Sequence, residues 1–354
     1  MDSNNKIDIN TLPQPGELII NNDYLPKENI NNNKNVNIST LKIIQWNIER
    51  GYKIDLILQE LLKLDADILL LQEIDINCER SNYINCLTLI AEKLKMSYAY
   101  VSEFCELYDK IRKKKDQGGG VHGNAIFSKF YIDKENTIAI KHKYQPVIWD
   151  KEGYDRKEPR KGDRYFISTM FKFNANVFVD VYSIHLEVFC GINGRIEQFS
   201  DVPKYAYDRK LMVENNFKGK IIQLIGGDLN TMAHGVARFS PKYCGNDWMR
   251  IKTLGKSEGK WWLDNALSGK NSSDNLKNLG FKEDVYKNYE LFEGFIDPWD
   301  VDKDFTHESW IWYKGKLDWL FLRGCKFLEK FTGNDKYNMS DHKLLGMIID
   351  IKNI

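Results

Sequence analysis

Polar side chains follow several short apolar runs of this sequence, and their types suit metal-assisted cleavage of a phosphoester. Asn47 follows LKIIQW, Glu73 follows ADILLLQ, and His185 follows DVYSI. The run GGDLN adds Asp228 and Asn230 after another apolar stretch. Polar groups that converge where strands end form concave sites, so this recurrence predicts a single site.

Three of the candidate residues are predicted metal ligands. Glu73 is the first, because Mg²⁺ prefers oxygen ligands and one or two carboxylates suffice. Asn47 can offer its amide oxygen to the same ion, although an Asn that closes a strand is also a common turn former. Asp341, in the run SDH, is predicted as a further ligand. A solvent-facing acid at a strand end is the alternative for Glu73.

The run GGDLN predicts a close approach of phosphate or metal to the backbone, since two glycines remove side-chain bulk. Asp228 and Asn230 are two residues apart and share a face if the backbone is extended. Asp228 is predicted to orient or deprotonate the attacking water, and Asn230 to hold a phosphate oxygen. A plain Gly-Gly turn is the alternative.

His185 and His342 are the candidate catalytic histidines, because each lies in a short polar run, HLE or SDH. A lone histidine is more often a structural residue. Asp318 interrupts the apolar run KLDWLFL, where an unpaired charge is costly. We therefore predict that Asp318 accepts a hydrogen bond from His342 and fixes its tautomer.

The composition indicates a globular protein whose overall charge selects no partner. Of 354 residues, 42% are hydrophobic, and 51 Lys and Arg nearly balance 50 Asp and Glu. Local basic runs at 110–115 and 156–164 can attract a polyanion or form ordinary solvated loops. The six cysteines form no CxxC pair, and no signal peptide or membrane-spanning run is evident. A cytoplasmic or nuclear monomer is expected, with peripheral membrane contact left open.

The chain is expected to form one catalytic domain over residues 39–354. Residues 1–38 are rich in Asn and Lys and are predicted to be a flexible arm. Beyond it, short strand-like runs alternate with amphipathic helical patterns, which indicates two packed sheets flanked by helices. The stretch 195–217 is predicted to be helical with a break at Pro203.

Seven motifs in order resemble the endonuclease/exonuclease/phosphatase superfamily over residues 41–351: QWNIERG, LLLQEID, GNAIFSK, YSIHLE, IGGDLN, KLDWLFLRG and MSDHKLL. The resemblance implies a DNase I-like four-layered α/β sandwich and in-line attack of water on phosphorus, with Mg²⁺ as the usual ion and Mn²⁺ as an option. By this resemblance, eight residues fall on catalytic or metal-site positions: Asn47, Glu73, His185, Asp228, Asn230, Asp318, Asp341 and His342.

The fold does not choose a substrate. HLEVFCGINGRIEQ is similar to the HLE…R…Q arrangement of sphingomyelinase-like and tyrosyl-phosphodiesterase-like branches, and Arg195 and Asn124 are predicted to bind substrate. The basic runs favour nucleic acid. A lipid or small-molecule phosphoesterase and an inactive binding module are the alternatives. The aromatic segment 292–319 is interpreted as a base-stacking surface, a membrane contact or a packed loop.

Overall fold

The computed structural model describes residues 8–27, 38–173, 176–245, 249–252, 255–309 and 313–352. The strands are β1 (Leu18–Asn21), β2 (Thr40–Asn47), β3 (Ile68–Ile76), β4 (Ser97–Glu106), β5 (Gly120–Ser128), β6 (Thr137–Lys141), β7 (Arg160–Gly162), β8 (Tyr165–Lys172), β9 (Val177–His185), β10 (Lys220–Asp228), β11 (His307–Ser309), β12 (Tyr313–Gly315), β13 (Asp318–Arg323), β14 (Phe327–Gly333) and β15 (Leu344–Asp350). The helices are α1 (Ile54–Leu64), α2 (Cys86–Leu94), α3 (Trp149–Glu152), α4 (Ile192–Phe199), α5 (Asp201–Met212), α6 (Pro241–Cys244), α7 (Met249–Lys252), α8 (Glu258–Asn265), α9 (Lys270–Asn278) and α10 (Glu283–Glu290).

Two large sheets pack face to face between layers of helices. The large sheet has eight strands in the order β1-β4-β5-β3-β2-β15-β14, with β7 added on β4. The small sheet has five, in the order β13-β10-β9-β8-β6. Alternate residues of each strand enter the core between the sheets or contact a helical layer, as the pleat requires. This is the predicted DNase I-like four-layered sandwich, and the fold prediction is confirmed.

The outer layers are held by apolar stripes of the helices. Ile57 and Leu61 of α1 pack with Ile44 of β2 on the outer face of the large sheet. Phe199 of α4 packs with Phe321 of β13 over the small sheet. None of the helices in the described part of the chain has the length and apolar composition that crossing a bilayer demands.

Strand pairing in the small sheet aligns three candidate residues in one row. β9 and β10 run parallel, so His185 lies opposite Asp228. β10 and β13 run antiparallel, and Asp228 lies opposite Asp318. The two glycines before Asp228 make this packing possible: a Cβ on Gly227 would lie 2.0 Å from the carbonyl oxygen of Ile184.

Buried polar side chains connect the two sheets near this row. Gln45 of β2 donates from Nε2 to Asp318 Oδ1 over 3.0 Å and to Gln72 Oε1 over 2.8 Å. Gln72 of β3 in turn donates to Ser183 Oγ of β9 over 2.9 Å. Buried hydrogen bonds of this kind favour one relative placement of the sheets.

Residues 8–27 lie within the predicted flexible arm, yet they pack on the large sheet, and the prediction is corrected there. β1 pairs antiparallel with β4, with Leu18 opposite Val101. Leu12 and Ile19 pack against the apolar cluster under α1 and α2. A few apolar residues and one row of backbone hydrogen bonds therefore outweigh the polar composition. Residues 1–7 and 28–37 of the predicted arm lie outside the described residues.

The helical stretch after Arg195 is interrupted at Ser200, not at Pro203. α4 ends at Phe199 and α5 begins at Asp201. Pro203 lies in the first turn of α5, where proline removes no intrahelical hydrogen bond. The helix is therefore interrupted three residues before the predicted position, Pro203.

Candidate active site

Asp228 lies at the centre of the candidate site, at the end of β10. Asn47, the last residue of β2, donates from Nδ2 to Asp228 Oδ2 over 3.0 Å. Nε2 of His185 and Nε2 of His342 lie 3.6 Å and 3.7 Å from the same oxygen. Burial, the largest effect, raises the pKa of Asp228 from 3.8 to about 7. A buried carboxyl with such a pKa is suited to exchange a proton near neutral pH.

His342 is held between two carboxylates. Its Nδ1 lies 2.7 Å from Asp318 Oδ2, the partner that the sequence predicts. Burial opposes protonation, but the negative charges of Asp318 and Asp228 raise the pKa of His342 well above its ordinary value. His342 is therefore an imidazolium donor at neutral pH.

Glu73 reaches the site from a distortion inside β3, not from a strand end. The β3–β5 register shifts between Leu71 and Ile74, and Glu73 adopts a left-handed φ of 59°. A bulge re-aims a side chain in this way. Arg50 Nε lies 3.6 Å from Glu73 Oε2, and its charge counters burial and lowers the pKa of Glu73.

Glu49, which is not among the predicted site residues, interacts with two of the predicted metal ligands, Asp341 and Glu73. Its Oε2 accepts a hydrogen bond from the backbone N–H of Asp341 over 3.0 Å. Burial, followed by the negative charges of Asp341 and Glu73, raises the pKa of Glu49 from 4.5 to about 7. Carboxylate oxygens suit a hard divalent cation, but Glu73 and Asp341 fall in separate candidate groups: Glu73 lies with His122 and His185, and Asp341 lies with His307 and His342.

His307 is a second residue of the site that is not among the predicted ones, and no motif in the sequence marks it. β11 bridges to the loop that carries His342, and the two imidazole rings lie 4.8 Å apart. His307 Nδ1 lies 3.8 Å from Asp341 Oδ2. Asp341 thus lies beside His307 and His342. No apolar periodicity marks His307, because only the β11 bridge brings it to the site.

Arg164 fixes the imidazole ring of His185 and is itself held by two glutamates. Its Nη1 lies 3.0 Å from Nδ1 of His185 and 3.2 Å from Glu103 Oε2, and its Nε lies 3.5 Å from Glu187 Oε2. Burial, followed by the charge of Arg164, lowers the pKa of His185 well below its ordinary value. His185 is therefore neutral, unlike His342.

Arg112, Arg160 and Arg164 of the two basic runs are buried in the fold, whereas the lysines of both runs are exposed. Arg160 and Arg164 are buried and line the cavity above the site. Arg112, from the other run, is turned inward to pair with Glu106. These arginines offer positive charge from fixed positions.

A cavity of about 640 Å³ opens over these residues. Its polar lining includes Glu73, His185, Asp228, Asn230 and His342. Its apolar lining includes Val188, Phe189, Met232, Val236, Phe239 and Tyr243. Phe189 and Tyr243 stack with ring centroids 5.9 Å apart. The cavity therefore offers an apolar wall beside the charged groups.

Asn230 reaches the cavity by a turn. Its φ of 50° is left-handed, so the extended backbone expected for Asp228 and Asn230 is corrected. The Asn230 N–H donates to Asp228 Oδ1 over 2.8 Å, and Nδ2 donates to the carbonyl of Leu186 over 2.9 Å. Asn230 thereby holds the Asp228 carboxylate in place.

The two predicted substrate-binding residues lie outside the cavity lining. Arg195 is fully buried in α4 and forms a bidentate ion pair with Glu258, at 2.8 Å and 2.6 Å. Its substrate-binding prediction is corrected, because no part of the guanidinium is open to a ligand. Asn124 is also fully buried, in β5, and donates to the carbonyl of Tyr165 over 3.5 Å. Both side chains act within the scaffold.

Fold and site together define a DNase I-like hydrolase scaffold. The chain belongs to the endonuclease/exonuclease/phosphatase family, whose family model matches residues 44–342. Members of this family are phosphoester hydrolases. Among curated proteins, no match was found.

Solved structures share the fold at low sequence identity. ANGEL2, a 2′,3′-cyclic phosphatase, aligns with a TM-score of 0.54 and 16% identity, over 89% of this chain and 96% of its own. ANGEL2 in complex with adenosine-2′,3′-vanadate gives a TM-score of 0.53 and 16% identity over the same shares, 89% and 96%. A family protein from Leptotrichia buccalis C-1013-b has a TM-score of 0.49 at 16% identity, covering 88% of this chain and 99% of that one.

Proposed function

We propose that this chain hydrolyses a phosphodiester with a bound divalent cation, Mg²⁺ or Mn²⁺, and that the substrate is nucleic acid or a nucleotide. The arrangement around Asp228 carries the proposal: one buried carboxylate lies within 3.0 Å of an amide donor and within 3.7 Å of two imidazoles. An attacking water requires a base, and the phosphate that receives it requires donors.

Each side chain has a distinct part in the proposed reaction. Asp228 accepts the proton of the attacking water. His342, charged and braced by Asp318, donates to a phosphate oxygen where negative charge develops, and neutral His185 donates to another. Glu73, Asn47 and Asp341 would hold the cation, which would supply polarisation of the phosphoryl group and activation of water.

Basic and aromatic side chains in the cavity support a nucleotidic substrate. Arg50, Arg160, Arg164 and Lys242 line it and offer charge to a phosphate backbone. The stacked rings of Phe189 and Tyr243 offer an apolar surface to a base or sugar. ANGEL2 acts on 2′,3′-cyclic phosphates, so a cyclic nucleotide is included among the substrates to be tested.

A lipid phosphodiesterase is the second candidate, and one observation favours it. Val236 and Phe239 line the cavity while remaining 65% and 66% exposed. Exposed apolar side chains at a cavity mouth can insert between lipid headgroups. Cleavage of sphingomyelin vesicles without cleavage of nucleic acid would select this alternative.

The test measures hydrolysis of a chromogenic phosphodiester, DNA, RNA, adenosine 2′,3′-cyclic phosphate, sphingomyelin and phosphoinositides, with Mg²⁺, Mn²⁺ or a chelator. We expect Asp228→Ala and His342→Ala to lower kcat by about 10²–10⁴. Asp208→Ala, which removes an exposed ion pair with Lys204, is the matched control and should retain activity. Turnover that survives both site substitutions would refute the assignment, and binding of RNA without any turnover would indicate an inactive module.

A further inference from the structure

Two buried histidines border the Glu73 carboxylate. Glu73, His122 and His185 offer ligand atoms within 4.8 Å of one another. Both rings are nearly inaccessible to solvent, and both line the cavity. Their ability to bind a cation depends on which ring nitrogen carries the proton, because only an unprotonated nitrogen has a lone pair to donate.

The contact with Arg164 makes His185 a donor toward the cavity. Arg164 Nη1 lies 3.0 Å from Nδ1 of His185. A guanidinium has no acceptor, so Nδ1 must accept, and the proton of the neutral ring is on Nε2. Nε2 is the nitrogen that approaches Asp228 and Glu73, at 3.6 Å and 4.0 Å. His185 therefore presents an N–H group, which suits a phosphate oxygen and not a metal ion.

His122 has the opposite tautomer. Its Nδ1 lies 2.8 Å from Asp75 Oδ1, and Arg80 holds the Asp75 carboxylate with two hydrogen bonds of 2.8 Å. Arg80 Nη2 is also 3.5 Å from the same nitrogen, but the contact with Asp75 is much shorter. Nδ1 of His122 thus donates to Asp75, so the nitrogen left to bind a cation is Nε2. Histidines that bind metals commonly have this carboxylate support.

We propose that His122 is a nitrogen ligand of the cation held at Glu73, and that this site binds first-row transition ions such as Mn²⁺, Co²⁺ or Zn²⁺ more tightly than Mg²⁺. The inference rests on the proposed metal dependence of the same site. Imidazole is a poor ligand for hard Mg²⁺, and its affinity for first-row transition ions increases from Mn²⁺ to Co²⁺ and Zn²⁺. Glu73 supplies the carboxylate from its fixed position in the β3 bulge, and Asp75 and Arg80 fix the ring.

The ligand can be identified on the full chain with Mn²⁺ alone, without substrate. Pulsed electron paramagnetic resonance detects ¹⁴N of an imidazole bound to Mn²⁺. We expect this signal in the unsubstituted protein and in His185→Gln, and its loss in His122→Gln. We also expect His122→Gln to weaken Mn²⁺ binding at least about tenfold in calorimetry, with little change for Mg²⁺.

His142→Gln is the matched control. His142 is another buried histidine whose Nδ1 contacts a carboxylate, Asp201, over 3.0 Å, and it does not line the cavity. The His142→Gln variant should retain both the nitrogen signal and the affinity for Mn²⁺. In His122→Gln the side-chain amide can still donate to Asp75. His122→Asn is a second variant, to be used if His122→Gln does not fold.

The outcomes separate this inference from the proposed function. Mn²⁺ bound without a nitrogen signal, or a signal that survives His122→Gln, overturns His122 as the ligand and leaves metal-assisted hydrolysis intact. Loss of the signal in His185→Gln alone overturns the tautomer assignment. Failure of any divalent cation to bind refutes the metal dependence itself.

Discussion

Asp318 Oδ2 lies 2.7 Å from Nδ1 of His342, although Asp318 belongs to the small sheet and His342 lies just before a strand of the large sheet. Asp318 opens β13 in the small sheet, and His342 precedes β15 in the large one. The contact leaves Nε2 of His342 directed at Asp228, 3.7 Å away. One pair thus links the packing of the two sheets to the protonation of a candidate catalytic group.

Asp318→Asn should lower both the pKa of His342 and the rate. The amide preserves shape but removes the negative charge that helps to raise this pKa. We expect kcat to fall by about 10²–10⁴, and nuclear magnetic resonance titration of the His342 ring to report the lower pKa. Asp335→Asn, at an exposed position paired with Lys343, should change neither quantity. An unaltered titration of His342 in Asp318→Asn would contradict the coupling.

Asp228 should make the cation-free protein less stable as the pH rises. Burial raises its pKa from 3.8 to about 7, so in this window the folded state keeps a proton that the unfolded chain has released. Stability from this group is complete below about 3.8 and is lost as pH rises through about 7. Denaturant unfolding of the protein and of Asp228→Asn across this window should favour the variant increasingly at higher pH. If the stabilities of the protein and of Asp228→Asn changed in parallel with pH, the raised pKa of Asp228 would be refuted.

The glycine pair before Asp228 offers a graded test of strand packing. A Cβ on Gly226 would meet Leu70 Cδ1 at 2.6 Å, the end of a flexible side chain, whereas a Cβ on Gly227 would meet backbone. We expect Gly226→Ala to cost about 1–3 kcal/mol in the free energy of unfolding, and Gly227→Ala to cost more. Chemical denaturation measures both. Equal costs would mean that β9 and β10 separate more easily than their packing indicates.

Arg195→Met should reduce stability without a direct effect on substrate binding. Removing the guanidinium leaves Glu258 buried and unpaired, which costs about 3–5 kcal/mol. The double variant Arg195→Met with Glu258→Leu should recover much of this loss, because no charge is then buried alone. Urea denaturation gives the stabilities, and KM of the folded fraction should stay unchanged. A raised KM with normal stability would restore Arg195 as a substrate-binding residue.

Much of the site could be predicted from strand-end motifs, because a short apolar run that ends in a polar residue is typical of a buried strand and its end. Asn47, His185 and Asp228 are indeed the last residues of their strands. The Asp318–His342 pair was also predictable, since a lone carboxylate in an apolar strand requires a partner. These inferences depend on neighbours in sequence and on the cost of burying charge.

Residues whose roles depend on distant partners were harder to predict. β4 has no recognisable strand pattern, because Glu103 and Glu106 are buried in it and are neutralised by Arg164 and Arg160, which lie far along the chain. The substrate-binding prediction for Arg195 was wrong for the same reason, because its partner Glu258 is 63 positions away. His122 lies beside a glycine-rich run and became notable only when Asp75 was placed next to it.

Because β2 pairs with β15, the candidate site can be completed only late in synthesis of the chain. These two strands pair antiparallel inside the large sheet, although almost the whole domain separates them in sequence. During synthesis, Asn47 and Glu73 leave the ribosome early, whereas His342 and β15 emerge much later. A nascent chain therefore carries most of its polar site residues without His342, and the proposed site is complete only after the late strand has paired with β2.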